Sequence, residues 1–270
     1  MIFGLQLVDY RQFNTIVSKI VDFRIAQEQN KGNYKKFRAE YLENELRKIY
    51  RADIISGNTK TRETNDASTA KFLKTKASNM RDYSLYDNPL MLEWNTWRAM
   101  TMLDGGNIKA NLKFDDFGNP MSTAQGNMAD IVCDYDDFGL TVEATMQGGQ
   151  RQYETEGEPV TRHLAKVKRE INKPAYCLFI APNINEACIA HFYALHKMNI
   201  SYYGGTSTIV PLPLSVFIKM VEDSYKANYV PEPRHIQQFF EYSNELATKA
   251  NNEVEWYNGI KEKALNWLIE

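Results

Sequence analysis

Four residues in the middle of the chain have the types and spacing of a metal-assisted hydrolytic site. Asp130, Glu143 and Glu156 follow one another at intervals of thirteen, and His163 stands seven residues beyond the last. Carboxylate oxygens suit a hard divalent cation, and magnesium takes one or two of them while keeping its other positions for water and phosphate. An ion held this way activates water for in-line attack at phosphorus. An imidazole, with an ordinary pKa near neutrality, adds a group able to take or give a proton. Spacing alone leaves two other readings open. An Asp before a strand and a Glu within one are common on a solvated sheet face, and two carboxylates without metal would suit a glycosidase.

The elements that must position these groups can be read on either side of them. Residues 131–135 and 140–146 are short apolar, β-branched runs, and Asp136-Asp137-Phe138-Gly139 supplies the Asp and Gly of a tight connection. This predicts an antiparallel hairpin with Asp130 at the start of one strand and Glu143 in the middle of the other, their side chains converging in front of the sheet. Upstream, Asn88-Pro89 reads as a helix start for residues 88–103, with Leu90, Trp94, Trp97 and Thr101 on one stripe. Glu93 borders that packed face, where a carboxylate is costly unless paired or metal-bound. Downstream, Gly148-Gly149 bends the chain and Pro159 is expected to open a helix to about residue 173. Val160, Leu164, Val167 and Ile171 form its core stripe; Arg162, Lys166 and Arg169 share another face, with His163 between.

Residues 143–163, EATMQGGQRQYETEGEPVTRH, together with Asp130 thirteen residues before Glu143, resemble the cleavage domains of the AlwI-like type IIS restriction and nicking endonucleases of the PD-(D/E)XK nuclease superfamily. The resemblance spans roughly residues 85–225 and is specific in 148–163. It implies that Asp130 and Glu143 bind the metal, with Ala144 in the same ligand set. It also implies that the branch's additional Glu and His are Glu156 and His163, and that its upstream helical Glu is Glu93. Two positions depart from the pattern. Ala129 stands where the superfamily has Pro, a mild change of turn. Thr145 stands where it has Lys, and a hydroxyl neither carries that charge nor acts as a base near neutral pH. His163 is the first candidate to do the lysine's work and Lys166 the second.

Composition sets bounds on this reading. A chain of 270 residues, 43% hydrophobic and 24% charged, can bury a real core and is not a disordered one. Its net charge of −2 and pI of about 6.2 place any phosphate contact in local clusters rather than in the overall balance. Cys133, Cys177 and Cys188 lie in apolar context without the paired spacing of a zinc site, so free buried thiols in a reducing cytoplasm are expected. No apolar run is long enough to span a membrane, and no signal peptide is read at the start.

Along the rest of the chain, residues 10–29 and 33–50 show helical spacing, 57–68 read as an exposed loop, and Lys71, Lys74, Lys76 and Arg81 crowd a short basic helix over 69–80. That basic face is either solvated or phosphate-contacting. A turn is expected at 116–120. The run AYCLFIA, residues 175–181, reads as a central strand covered on both sides. A capped helix to 198 follows, then strands over 200–203 and 206–211, then a helix opened by Pro213. Two helices close the chain, and their stripe of Trp256, Ile260 and Trp267 packs on the core or offers a surface to a partner.

These observations together predict an α/β chain. A small mixed sheet over 129–211 is flanked by helices in a PD-(D/E)XK restriction-endonuclease-like core at 88–225, with a helical extension at 1–87 and C-terminal helices at 226–270. The resemblance implies magnesium-dependent cleavage of double-stranded DNA in the cytoplasm, by a chain that relies on a recognition domain or second cleavage subunit. The alternative is a non-catalytic DNA-binding subunit that keeps the fold.

Overall fold

The computed structural model describes residues 88–268 except 104, 115–119 and 228. The helices expected over 10–29 and 33–50, the loop at 57–68 and the basic helix over 69–80 lie outside the described residues, as does most of the turn at 116–120.

The first helix, α1 (Asn88–Ala99), begins where Asn88-Pro89 predicts and tightens into a 3₁₀ turn, Met100–Met102. Then come β1 (Asn107–Ala110), β2 (Lys113–Phe114), β3 (Pro120–Ser122), β4 (Ile131–Asp134) and β5 (Gly139–Ala144). Helix α2 (Gly149–Ile171) leads to β6 (Ala175–Ala181), α3 (Glu186–Lys197), a 3₁₀ turn at Ser201–Tyr203 and β7 (Ile209–Pro213). Helices α4 (Leu214–Lys226), α5 (Pro233–Lys249) and α6 (Glu253–Ala264) complete the chain.

Five strands form one mixed sheet in the order β1-β4-β5-β6-β7, antiparallel from β1 to β5 and parallel from β5 to β7. The hairpin is present as expected: β4 and β5 pair antiparallel, and the connection closes with Tyr135 N–H donating to Phe138 O at 3.0 Å. Both β5 and β6 are buried along their whole length. That is why AYCLFIA is a continuous apolar run, and why a glutamate near the C-terminal end of β5 stands out. The main core gathers Leu140, Val142, Leu178, Ile180, Phe217, Phe239 and their neighbours on both sides of the sheet, each large side chain contributing roughly 1.5–3 kcal/mol of burial.

Two sequence expectations are corrected. Pro159 does not open α2 but lies inside it, ten residues after Gly149. The helix starts at Gly149, whose φ of +60° suits a glycine and turns the chain out of β5. Proline's lost N–H bond is tolerated within a 23-residue helix whose other face is packed against the sheet. Residues 201–203 form a 3₁₀ turn rather than a strand, pinned by an Ile200–Gly205 bridge, and the strand begins only at Ile209. The stripe of Trp256, Ile260 and Trp267 packs on the core, as the first of its two sequence readings has it. Trp256 and Ile260 are fully buried and Trp267 nearly so, with the indoles donating to Ser243 O and Met220 O at 3.1 and 3.2 Å. All three cysteines are free and buried, and burial pushes the Cys133 and Cys188 thiols up to about 12. Among the described residues no helix is long and apolar enough to cross a membrane.

Candidate active site

Strand β5 and helix α2 fix the centre of the site. Gly139 opens β5 with its α-carbon against α2; a Cβ there would meet Ile171 Cδ1 at 2.2 Å, so glycine is what lets the helix lie close over the strand. Four residues on, and on the same face by the two-residue period of a strand, Glu143 points at α2 and meets His163. Their Oε1 and Nδ1 atoms are 2.9 Å apart, with both side chains buried. The two share one proton, which sits on Nδ1 when Glu143 is ionised. His163 Nε2 is then left buried with no hydrogen-bond partner.

Asp130 is carried to the same place by the hairpin. It immediately precedes β4, and its Oδ2 accepts the Ala144 N–H at 2.8 Å across the end of the ladder. Glu156 arrives from α2. Because that helix begins ten residues before Pro159, Glu156 and His163 lie seven apart on one continuous helix and so on one face. Thr145 donates its hydroxyl proton to Glu156 Oε1 at 2.7 Å. Glu93 comes from α1, only 6% exposed, and its Oε2 accepts the Ala124 N–H at 2.9 Å. Its charge reaches Glu143. All five side chains expected at the site are therefore brought together.

The cluster is electrostatically unbalanced. Burial raises Asp130 well above the usual carboxylate range, Glu143 and Glu156 raise it further, and the Ala144 N–H opposes them. Glu143 is likewise raised by burial, then by the charges of Glu156 and Glu93. Burial raises Glu156 too, against the Thr145 hydrogen bond and His163. His163 is lowered, mainly by burial and then by Arg162. Among the described residues no lysine or arginine pairs with Asp130, Glu143 or Glu156. Lys166, the second candidate for the missing lysine, is exposed and reaches Glu170 at 4.0 Å instead. Three clustered carboxylates, one buried and two half-buried, with no lysine or arginine partner among the described residues call for either protons or a bound metal ion.

The donor set fits a magnesium ion that retains water. Thr145 N–H donates to Ile180 O on the β6 side, at 2.9 Å. Strand alternation then turns the Ala144 amide toward the opposite edge, where its N–H meets Asp130. In a strand a residue's N–H and C=O face the same edge, so the Ala144 carbonyl is turned toward the Asp130 side. Among the described residues no three His, Cys, Asp or Glu side chains close into a metal cage, and magnesium does not require one.

Sequence reasoning missed three participants. Thr145 was read only as a lost lysine, although a threonine two residues after the strand glutamate can also donate. Gln152, fully buried, ties two loops beside the site; nothing about an isolated glutamine signals this. Arg162 reaches from α2 to the Asn127 side chain in the turn before Asp130 and also pairs with Glu158 at 3.2 Å. An i,i+4 Glu–Arg pair was visible, but its third partner was not.

Known proteins agree with this architecture. The chain is similar to a solved structure, the small subunit of the heterodimeric restriction endonuclease R.BspD6I, with a TM-score of 0.53 and 24% identity over 68% of this chain and 89% of that one. At that identity the likeness speaks to the fold. A comparison with curated proteins finds no match. The family model of the AlwI restriction endonuclease matches residues 85–220, just over half of the 270-residue chain and the stretch that carries all five site residues. On that match, and with a mixed five-stranded sheet that sets Asp130 and Glu143 against an α2 carrying Glu156, this chain belongs to the AlwI restriction endonuclease family.

Proposed function

We propose that this chain hydrolyses phosphodiester bonds of double-stranded DNA as the cleavage module of a type IIS restriction or nicking endonuclease, with magnesium as its cofactor. The observation that carries the reading is the cluster formed by a buried Glu143 with the half-buried Asp130 and Glu156, all raised in pKa and, among the described residues, without a lysine or arginine partner. Asp130, Glu143 and the Ala144 carbonyl would hold the ion, which when bound supplies polarisation of the phosphate and a lowered pKa for the attacking water. The chain's own groups do the positioning. Glu143 keeps the His163 proton on Nδ1, so that Nε2 can accept from a water or, when protonated, donate to a phosphate oxygen. Glu156 orients water from the opposite side of the cluster, and Glu93 closes it from α1. The cytoplasm, where such an enzyme would meet DNA, suits the free thiols.

A specific observation favours assembly with a second chain. The structurally similar protein is by its title a small subunit of a heterodimeric restriction endonuclease, and one carboxylate cluster can attack one strand at a time. The purified chain alone is therefore expected to nick supercoiled plasmid in the presence of magnesium, weakly and without sequence preference, and to do nothing in a chelator. Its DNA affinity should fall steeply with salt, by roughly 0.9 in the log–log slope for each phosphate contact. DNA retention with no nicking at any magnesium concentration would favour the non-catalytic subunit. Clean double-strand breaks at one recurring sequence would place recognition within these 270 residues. By calorimetry, magnesium uptake without DNA should be weak, because phosphate oxygens are missing from the ion's shell; tight uptake would count against this ligand set.

A further inference from the structure

The loop that leaves β5 and the loop that leaves β6 are joined by one buried side chain, and the bonds it makes lead into the carboxylate cluster. Gln152 lies in the first turn of α2 with no exposed surface. Its Nε2 donates to Gln147 O at 2.8 Å and to Asn183 O at 2.9 Å, and its Oε1 accepts the Asn185 N–H at 2.7 Å. Two carbonyls on one side and an N–H on the other allow a single orientation of the carboxamide. Asn185 is itself the N-cap of α3, its side chain accepting the Ala187 N–H at 2.9 Å. Beyond Gln147 the sequence of bonds continues. Gln147 N–H donates to Thr145 Oγ1 at 3.1 Å, and Thr145 Oγ–H donates to Glu156 Oε1 at 2.7 Å.

The direction of these bonds is fixed by the donors. A hydroxyl has one proton; with the Thr145 oxygen already accepting from Gln147, that proton is directed to Glu156. We propose that Thr145 and Gln152 are positioning residues, and that this chain of bonds from the α3 cap to Glu156 sets where the Glu156 carboxylate sits relative to Asp130 and Glu143. Where the superfamily has a lysine at this position, this chain has a neutral donor that orients an acid brought in by the helix. The inference rests on the cleavage reading for its kinetic consequence, but not for its geometry.

Four variants test it: Thr145→Val, which keeps shape and removes the hydroxyl; Thr145→Ser, which restores it; Gln152→Leu; and Gln152→Glu, which sets an oxygen against two carbonyls. Two readouts are taken on folded protein, the rate of magnesium-dependent plasmid nicking and the Glu156 carboxyl ¹³C resonance in metal-free protein at fixed pH. T145V and Q152L are expected to lower kcat by about 10- to 100-fold, the order seen for outer-shell partners around a metal site, with KM for DNA within about twofold. Q152E is expected to fall at least as far, and T145S to return to within a few-fold of the parent. The Glu156 resonance should move in T145V and return in T145S. Parent-like kcat in T145V, or equal impairment in T145S, would overturn the proposal and leave the nuclease reading standing. Should the parent chain not nick at all, the cleavage reading falls and the resonance decides alone: a Glu156 signal unmoved by T145V overturns the positioning role, and one that moves and is restored by serine upholds it.

Discussion

Asp130→Asn is expected to abolish cleavage and at the same time to make the metal-free protein more stable. Asparagine keeps an oxygen for the Ala144 N–H, now at 2.8 Å from Oδ2, so the local hydrogen bonding survives while the charge is lost. Losing a ligand charge from a cluster that holds one ion should lower the rate by roughly 10³-fold or more, which is about 4 kcal/mol of barrier. The stability change follows from the direction of the pKa shifts. Asp130 and Glu143 are both raised in the folded state, by burial first and by like charge second. A carboxylate raised on folding favours the folded state below its unfolded value, about 4, and that contribution is lost as pH climbs toward the folded value. Metal-free protein should therefore lose stability through this cluster as pH rises above about 4, and the asparagine variant should lose less. Thermal melts in chelator at pH 5 and pH 8 measure it, with roughly 2–4 °C of Tm expected for each kcal/mol in a domain of this size. An inactive variant that melts well below the parent at both pH values would mark Asp130 as structural.

Trp256→Ala should carry the largest stability loss of any single truncation near the C-terminus, about 3–5 kcal/mol. The indole is fully buried, donates to Ser243 O at 3.1 Å, and packs against His196 and Tyr193 with ring centroids 4.9 and 5.5 Å away. Removing it opens a cavity where α6 meets α5 and α3, and leaves the Ser243 carbonyl without its indole donor. Trp256→Phe should cost less, since most of the volume stays and only the donor goes. Urea unfolding followed by fluorescence and circular dichroism reads both. If the alanine variant lost less than about 1 kcal/mol and instead changed its state of association, the stripe would belong to an interface after all.

How much of this was legible beforehand depends on whether the signal was local. The β4–β5 hairpin was readable because Asp136 to Gly139 is a short turn between two apolar runs, and β6 because AYCLFIA is buried on both faces. The five candidate residues came from acidic spacing and from a family pattern, and the structure brings them into one neighbourhood. The errors share a cause. Pro159 looked like a helix start because proline is well tolerated in a first turn, yet the packed stripe on α2 outweighs one missing bond. Residues 201–203 looked like strand from their composition, but Gly204 and Gly205, both at positive φ, fold them into a tight tab. Gln152 carries no local signal, because its partners lie up to 33 residues away, and Thr145 stands out in sequence only as the departure from a lysine.

The strand that carries Glu143 is bonded to β4 on one side and to β6 on the other, and the second of those partners is synthesised only after α2 has been made. A nascent chain that has not yet reached residue 181 holds its glutamate on an unfinished edge, with no parallel neighbour to orient the Ala144 and Thr145 amides. Non-local pairing of this kind forms late. The proposed catalytic centre is therefore complete only once β6 has paired with β5, and a fragment ending before residue 181 should lack it.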